Sequence, residues 1–380
     1  MKLLVLGAGR VGSAMAIDLA KEDWFDIAVA DNDKSALERL TSRYPIEGVP
    51  ADLADREQIR RIVRGYDLVI SAVPGFMGFE TLHSVLECKK SVVDISFFPE
   101  DPFELDSLAK ASDVMAVVDC GVAPGMSNLL VGSVDTRLEQ TERVLIYVGG
   151  LPTVRSWPSE YKAGFSPIDV IEEYTRPARL VSNGEVVIRP ALSDPEQIEI
   201  ENVGTLEAFN TDGLRTLIKT IDAPFMVEKT LRYPGHRERI ALLRDFGFFN
   251  TAPLQVGSVS IRPIDFTSTL LIPQWKLIPG ETELTVMRIL VDGLKDGRRM
   301  RTTYEIMDRY DPETQTTSMA RTTGYAATMV ARLIAEDRLE GRGIIPPEWI
   351  GRDPEHVRFI LEGLAQRGIH YVEDVSPLDD

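Results

Sequence analysis

Three glycines near the start of the chain constrain the fold more than any other feature. Gly7, Gly9 and Gly12 form a G-x-G-x-x-G pattern between the apolar run 2–6 and the helically spaced segment 11–21. Gly7 allows a tight turn, Gly9 lets backbone amides approach a pyrophosphate, and Gly12 permits close packing of the helix on the strand. The helix N-terminus adds unpaired N–H groups. The pattern therefore predicts a dinucleotide-binding turn and not three merely structural glycines.

An acidic residue follows at the spacing typical of a ribose-binding carboxylate. Asp31 ends the second apolar run (IAVAD), 19 residues after Gly12. It would accept hydrogen bonds from the adenosine ribose and repel a 2′-phosphate, and the nearest cation after it is Lys34. The sequence therefore favours NAD over NADP as the cofactor. Residues 31–33 are also candidate helix caps, with Asp33 the better one, and the two roles are compatible.

Short apolar strands alternate with helices through the first third of the chain. This pattern predicts a parallel, doubly wound sheet, an α/β Rossmann domain with right-handed crossovers. Ligands of such sheets bind at the carboxyl ends of the strands. The predicted strands are 2–6, 27–30, 49–51, 68–71, 91–94 and 114–118. The further predicted cofactor-binding residues are Arg10, Val11, Asn32, Asp52, Leu53, Ser71, Ala72, Val73, Pro74, Asp94 and Ser96.

Two of these carboxylates have an equally good local interpretation. Asp52 is a candidate cap for a helix that starts near Asp55, and Asp94 is a candidate cap for its own turn.

From Arg143 the alternation is replaced by successive strands, including a hairpin at Asn183-Gly184. The pattern predicts a second, α+β domain with a mixed or antiparallel sheet. Two late helices, 319–335 and 354–367, are expected to pack back on the first domain. The predicted strands are 143–148, 178–182, 185–189, 198–200, 225–231, 283–292 and 300–308, and the predicted helices are 214–219, 236–246 and part of 256–277. The predicted domains are 1–120 with 319–380, which binds NAD, and 121–318, which binds substrate and forms a dimer.

Charge and composition limit the kinds of binding partner and the cellular compartment that can be expected for the chain. The chain has 42 basic and 59 acidic residues, a net charge of −17, which disfavours nucleic acid and anionic membranes. The apolar stretch 114–134 contains helix-breaking glycine and proline, so we interpret it as buried strand and turn. With no signal peptide apparent, a cytoplasmic location is expected. Cys88 and Cys120 form no disulfide framework, and the four histidines lack a metal-binding spacing, so no metal site is expected.

Longer segments resemble the saccharopine dehydrogenase-like family over nearly the whole chain. That resemblance implies an N-terminal Rossmann domain, a second domain with a mixed sheet, and a homodimer. The segments are DCGVAPGMSNLL at 119–130, YVGGLP at 147–152, YKAGFSP at 161–167, LEAFNTDGL at 206–214, KTLRYPGHRERIALLRDFGFF at 229–249 and MARTTGYAATMVARLI at 319–334.

Within the family, segments 172–185, 206–214 and TLRYPGH are most similar to the lysine 6-dehydrogenases. Those enzymes oxidise the ε-amino group of L-lysine with NAD and release ammonia. The product, 2-aminoadipate 6-semialdehyde, cyclises to piperideine-6-carboxylate. Two alternatives stay open: an enzyme of the saccharopine or carboxynorspermidine dehydrogenase type, acting on a secondary amine, and a catalytically inactive NAD-binding sensor.

Oxidation at a C–N centre needs a proton acceptor for the amine and for the attacking water. A substrate carboxylate needs a cation, preferably a bidentate arginine. Arg232 is the predicted carboxylate-binding residue, with a surface arginine as the alternative. The predicted catalytic residues are Asp119, Lys162, Tyr161 and His236, and the other predicted substrate-binding residues are Phe165 and Gly121. Phe165 stands where the saccharopine-forming members carry a tryptophan-containing variant of the segment, which leaves room for a different substrate.

These catalytic assignments also have simpler alternatives. Most lysines are solvated surface groups, and a histidine that begins a helix, as His236 does, can simply cap a turn. Cys120 is interpreted as a small buried hydrophobic residue and not as a nucleophile.

Overall fold

The structure is a computed structural model that describes residues 1–278 and 280–378. The chain divides into two compact units. The first consists of Met1–Arg137 with Pro312–Tyr371, and the second of Leu138–Asp311 with the segment that begins at Val372.

The first unit opens with alternating strands and helices, as the apolar pattern predicts. Strands β4 and β5 are almost entirely buried, as expected for strands covered on both faces. The strands are β1 (Lys2–Leu6), β2 (Asp26–Asp31), β3 (Ile46–Pro50), β4 (Leu68–Ser71), β5 (Ser91–Asp94) and β6 (Met115–Val117). The helices are α1 (Arg10–Leu19), α2 (Lys34–Thr41), α3 (Arg56–Val63), α4 (Gly75–Glu87), α5 (Asp106–Ala111) and α6 (Met126–Asp135).

Aspartates cap the short helices of this unit. Asp33 accepts hydrogen bonds from the first-turn amides of α2, which confirms it as the cap. Asp55 does the same for α3, so the assignment of Asp52 as the cap of that helix is wrong. Asp52 instead accepts the amide of Ala54 in a turn of its own, because its side chain lies one turn too early.

The second unit is built on long strands. Strand β11 and the short hairpin β13–β14 were not predicted; β11 mixes polar and apolar residues and is defined by its pairing with β10 and β12. The strands are β7 (Gln140–Pro152), β8 (Ala178–Ser182), β9 (Glu185–Arg189), β10 (Glu196–Ile200), β11 (Gly204–Asn210), β12 (Phe225–Arg232), β13 (Leu254–Val256), β14 (Val259–Ile261), β15 (Glu283–Lys295) and β16 (Arg298–Arg309). The helices are α7 (Pro167–Thr175), α8 (Leu217–Thr220), α9 (His236–Asp245) and α10 (Pro263–Trp275).

The chain then returns to the first unit, as predicted. Buried Asp18 of α1 accepts hydrogen bonds from Thr328 (2.7 Å), Arg332 (2.9 Å) and Arg367 (2.7 Å), so the late helices are attached directly to α1. Burial opposes ionisation of Asp18, yet the two arginines hold its pKa below the usual value. The returning elements are α11 (Ser318–Ala335), β17 (Gly343–Ile345), α12 (Pro347–Ile350), α13 (Pro354–Gln366) and β18 (Val372–Pro377).

The unit boundaries differ from the predicted ranges at three points, and at one of them residues 312–318 belong to the first unit. Residues 121–137 belong to the first unit, where α6 packs so closely that a Cβ on Gly132 would lie 2.1 Å from the carbonyl oxygen of Glu348. The segment from Val372 belongs to the second unit because β18 pairs with β16. Pro279, Asp379 and Asp380, which the predicted ranges include, lie outside the described residues.

The two large sheets confirm the predicted fold class. Within the described chain, the first unit has a wholly parallel sheet in the order β3-β2-β1-β4-β5-β6-β17. Its direction of progression reverses between β1 and β4, the arrangement of a dinucleotide-binding Rossmann fold. The second unit has a mixed sheet in the order β10-β11-β12-β7-β15-β16-β18, in which β12 and β7 are parallel and the neighbouring pairs antiparallel.

Candidate functional site

Two glycines of the N-terminal turn are required by the protein's own packing. Gly7 has φ of +108°, and a Cβ there would lie 2.8 Å from the carbonyl oxygen of Ala72. A Cβ on Gly12 would lie 2.0 Å from the carbonyl oxygen of Gly7. Any side chain at either position would therefore displace the turn between β1 and α1.

Gly9 differs from both. Its φ of −68° and ψ of −173° are open to any residue, and a Cβ there would meet no protein atom within 4 Å. Neither backbone conformation nor packing explains the glycine. The open space lies at the N-terminus of α1, beside exposed Arg10 and half-buried Val11. The residues present therefore fit a nucleotide pyrophosphate, which needs that space and the helix amides.

Asp31 is held against the same turn. Its Oδ2 accepts the amide of Ala8 at 2.6 Å, and its Oδ1 accepts the amide of Asp33 at 2.8 Å. Each carboxylate oxygen has a second lone pair, so the side chain can still accept ribose hydroxyls. Asn32, beside it, is exposed. The carboxylate thus connects the glycine turn to the start of α2, in the position predicted for it.

The loop after β4 lies beside the glycines. Ala72 donates its amide to Leu6 and contacts both packed glycines of the turn, so it belongs to the nucleotide-binding turn. Val73 and Leu53 are buried apolar residues, while Pro74 is the residue that precedes α4.

Asp94 is enclosed instead of facing a ligand. It is completely buried, and its Oδ1 accepts a hydrogen bond from the hydroxyl of Ser96 at 2.8 Å. The Ser96 hydroxyl in turn lies 3.4 Å from the hydroxyl of Ser71. Burial raises the pKa of Asp94 to about 7, and neighbouring Asp119 contributes to the rise. The turn-capping interpretation fits this position, and the buried side chains of Asp94, Ser71 and Ser96 do not fit direct side-chain contact with a cofactor.

Asp119 and Gly121 follow β6 at the same end of the sheet. Asp119 is buried with a left-handed φ of +51°, a conformation that non-glycine residues rarely adopt. Gly121 is fixed by its own turn: its amide donates to Pro124, and a Cβ on it would lie 3.0 Å from the carbonyl oxygen of that residue. Packing alone accounts for this glycine. Burial also raises the thiol pKa of Cys120 strongly, which agrees with a non-nucleophilic residue.

The second unit brings three predicted residues into one buried aromatic cluster. The guanidinium of Arg232 lies 4.5 Å from the ring centroid of Tyr161, and the Tyr161 and His236 rings are 5.2 Å apart. Tyr174 and Trp275, which sequence reasoning did not identify, complete the cluster. Such contacts between a cation and ring faces stabilise a desolvated arginine.

A directed hydrogen-bond chain runs through the cluster. Nδ1 of His236 lies 2.8 Å from the carbonyl oxygen of Ser159, which only accepts, so Nδ1 carries the proton. Nε2 therefore accepts from the hydroxyl of Tyr174 (2.9 Å), and that hydroxyl accepts Nε–H of Arg232 (2.9 Å). Burial and Arg232 lower the pKa of His236 to about 3. With both nitrogens engaged, His236 orients its neighbours, and a general-base role does not fit.

Arg232 is paired but not saturated. Its Nη2 donates to Glu173 at 3.0 Å and its Nη1 to the carbonyl oxygen of Leu231. With the bond to Tyr174, three of its five N–H groups have partners among the described residues, so two remain. Burial raises the pKa of Glu173 even beside this cation. The alternative of a surface arginine is wrong, since Arg232 is only 3% exposed.

Lys162 and Phe165 lie apart from that hydrogen-bond chain. Nζ of Lys162 lies 2.9 Å from a carboxylate oxygen of Glu281, so this side chain is held in an ion pair. Phe165 is partly buried against the aromatic cluster.

Sequence reasoning also missed a buried acid in strand β12. Glu228 is 3% exposed and accepts the hydroxyl of Thr211 (2.7 Å) and the amide of Gly213 (3.0 Å) through Oε2. A charged residue within a buried strand was the available signal. The sequence signal does not show how this acid is held, because its hydrogen-bond donors, Thr211 and Gly213, lie in the segment between β11 and α8.

The described part of the chain contains neither a candidate membrane span nor a candidate metal site. None of its helices combines the length and apolarity needed to cross a bilayer. No three histidine, cysteine, aspartate or glutamate side chains at the described positions lie together as a metal site would require.

Family comparisons match both units. The family described as "Saccharopine dehydrogenase NADP binding domain" matches residues 3–117, and "Saccharopine dehydrogenase C-terminal domain" matches residues 121–369. The first unit is accordingly a nucleotide-binding Rossmann domain.

Individual relatives are more distant. The mouse mitochondrial alpha-aminoadipic semialdehyde synthase is 26% identical over 193 residues, which cover 49% of this chain and 21% of that protein. The chain thus spans about a fifth of the length of this relative. The carboxynorspermidine synthase of Vibrio alginolyticus is 22% identical over 421 aligned positions and covers 99% of this chain and 98% of its own. The apo saccharopine dehydrogenase (L-Glu forming) of Saccharomyces cerevisiae has the same fold, with a TM-score of 0.79 at 19% identity and 99% coverage of both chains.

Proposed function

The chain belongs to the saccharopine dehydrogenase family, and from that premise we propose that it catalyses the NAD-dependent oxidative deamination of the ε-amino group of L-lysine. Lysine, NAD⁺ and water would give 2-aminoadipate 6-semialdehyde, NADH, ammonium and a proton. The observation that carries an oxidoreductase role is the space at Gly9, which no protein atom needs and which a pyrophosphate would occupy.

Asp31 supports NAD as the cofactor. A carboxylate held by the amides of Ala8 and Asp33 accepts ribose hydroxyls but repels a 2′-phosphate. When bound, the nicotinamide supplies the acceptor for the hydride of the oxidised carbon. The matched family description names NADP, so cofactor preference is a property to measure in this chain.

Arg232 is the proposed partner of the substrate's carboxylate. Its two remaining N–H groups suit one carboxylate, and Glu173 and Tyr174 fix the rest of the guanidinium. A rigid arginine in a desolvated cluster orients an amino acid better than a mobile surface lysine would.

Asp119 is the proposed proton acceptor. Among the other predicted catalytic residues, His236 has both nitrogens engaged, Lys162 is paired with Glu281, and burial raises the pKa of Tyr161 well above its usual value, so we assign the role to the carboxylate of Asp119. Its left-handed backbone conformation in a buried turn is the kind of local strain that is retained at functional sites.

The second candidate is a dehydrogenase that forms or splits a secondary amine. It is favoured by the match to the carboxynorspermidine synthase, which covers nearly the whole of both chains. The deciding experiment is a panel assay that follows reduced-cofactor absorbance with NAD and NADP. L-lysine and saccharopine are tested for oxidation, and diaminobutyrate semialdehyde with diamines for reduction.

Reduction of NAD by L-lysine with release of ammonia is the expected result. Turnover of saccharopine or of the semialdehyde mixture without turnover of lysine would instead establish the second candidate. No turnover with any of them, in a protein that binds NAD, would favour the inactive sensor.

A further inference from the structure

Glu228 lies on β12, an interior strand of the mixed sheet. The strand is hydrogen-bonded on both sides, to β7 and to β11, and Glu228 and Arg232 are four residues apart. Side chains alternate between the two faces of a strand, so Glu228 and Arg232 emerge on the same face, about 13 Å apart at their backbones.

One oxygen of this carboxyl is fixed and the other has no donor. Thr211 and Gly213 both donate to Oε2. A Cβ on Gly213 would lie 2.5 Å from that oxygen, so a side chain at this position would displace the Glu228 carboxyl. In the part of the chain that the structure describes, no donor within hydrogen-bond distance faces Oε1.

The charges around Glu228 do not neutralise it. The neighbouring acids each have their own arginine: Asp212 pairs with Arg179 at 2.8 Å, and Glu173 pairs with Arg232 at 3.0 Å. No basic side chain at the described positions forms an ion pair with Glu228. Burial, with Glu173 and Asp212 nearby, raises the pKa of Glu228 to about 8. A buried carboxyl without a cation is costly to ionise, and a bound cation would remove that cost.

We propose that Glu228 binds a primary ammonium group of the amino-acid substrate through Oε1, on the face of β12 that also carries Arg232. This rests on the proposed function in that it requires an amino-acid substrate. A carboxylate-binding arginine and an ammonium-binding carboxylate on one strand face suit a ligand with a carboxylate at one end and an ammonium group further along.

Calorimetric titration of the full chain saturated with NADH tests this without turnover. Two ligands separate the possible sources of the ammonium: 6-aminohexanoate lacks the α-amino group, and L-norleucine lacks the ε-amino group. Glu228→Gln keeps an acceptor for Thr211 and Gly213 but removes the charge. It should weaken binding of at least one ligand about tenfold to a hundredfold. The ligand that is affected identifies the ammonium, and Glu185→Gln, on the exposed edge strand of the same unit, should bind both normally.

Proton release provides a second readout that a purely structural residue would not change. At pH 7 the Glu228 carboxyl is mostly protonated, so it must lose its proton to accept an ammonium group. Titrations in buffers of different ionisation enthalpy should show proton release by the wild type and by Glu185→Gln, and none by Glu228→Gln. If the Gln variant does not fold, Glu228→Asp should still release protons and bind more weakly.

The proposal is overturned if a folded Glu228→Gln binds both ligands within twofold of the wild type and releases as many protons. Wild-type protein that binds either ligand but never oxidises lysine rejects the deamination and leaves the ammonium site to be decided by these titrations. Wild-type protein that binds neither ligand rejects the ammonium site, and turnover of lysine in the panel assay then decides the deamination separately.

Discussion

The candidate sites of the two units consist of different groups: mainly backbone atoms in the first unit and side chains in the second. In the first, backbone atoms and absent side chains form the nucleotide-binding turn within one strand-turn-helix segment, residues 2–19, with Asp31 close behind. In the second, the side chains around Arg232 come from the segment before α7, where Tyr161 lies, and from α7, α9 and α10, which span about a hundred residues of chain. The first kind of site depends on local conformation, and the second depends on the packing of distant elements. Substitutions should therefore act differently in the two units.

The largest expected effect is at Arg232. Arg232→Ala leaves a substrate carboxylate and Glu173 without a partner, which costs about 2–5 kcal/mol. We expect kcat/KM for lysine to fall about thirtyfold to several thousandfold, with NAD affinity nearly unchanged. Arg232→Lys should recover little, because an ammonium group lacks the paired donors. Steady-state kinetics and NAD titration measure both, with the exposed Arg189→Ala as control.

Near-native kcat/KM in the alanine variant would show that the carboxylate binds elsewhere, and Lys162 would be tested next. A variant that loses its cooperative unfolding transition identifies Arg232 as structural, and the lysine variant then decides whether charge alone suffices.

Two buried acids sharpen the comparison: Glu173 forms an ion pair with Arg232, whereas Asp94 forms none with the residues that the structure describes. The pKa of Asp94 is raised from 3.8 to about 7, so the folded protein holds a proton that the unfolded chain releases. Its contribution to stability is complete below pH 3.8 and is lost as the pH rises to about 7. Asp94→Asn should remove this loss, worth on the order of 4 kcal/mol. Urea unfolding of both proteins between pH 4 and 8 measures it; parallel pH profiles would contradict the raised pKa.

Within the glycine turn, two alanine substitutions should affect different properties: one should weaken NAD binding and the other should destabilise the fold. Gly9→Ala meets no protein atom, so the unfolding midpoint should be unchanged while NAD affinity falls at least about tenfold. Gly12→Ala forces a Cβ against the carbonyl oxygen of Gly7 and should destabilise the fold by about 1–3 kcal/mol. Thermal unfolding and NAD titration are compared for both. An unchanged NAD affinity in Gly9→Ala would remove the main support for the pyrophosphate site.

The smallest effect is expected at Asp31. Asp31→Ser removes the repulsion of a 2′-phosphate, and Asp31→Arg adds an attraction, so the NAD to NADP preference should shift towards NADP by about tenfold. Loss of the bond to Ala8 should also loosen the turn slightly. Calorimetric titration with both cofactors measures the preference. Tighter binding of NADP than of NAD by the unchanged protein would refute the role given to Asp31.

Local signals predicted much of the first unit. The glycine spacing, the apolar alternation and the cap at Asp33 all act between residues close in sequence, and the structure has each of them. The same local reasoning placed Asp94 and Gly121 at ligands, because both follow strands. Whether a strand-end side chain faces a ligand or the interior depends on neighbours such as Ser71 and Ser96, which no local pattern reveals.

The sequence by itself determined the alternation of strands and helices that opens the first unit, the nucleotide-binding turn and the family, since these depend on short-range spacing and on contiguous motifs. Only the tertiary structure decided what the polar side chains of the second unit do. It engaged both nitrogens of His236, paired Arg232 with Glu173 and buried Glu228 with no ion-pair partner among the described residues. The physical reason is desolvation: the strength of a charge and the acidity of a group depend on burial and on partners from distant elements, which exist only once the chain has folded.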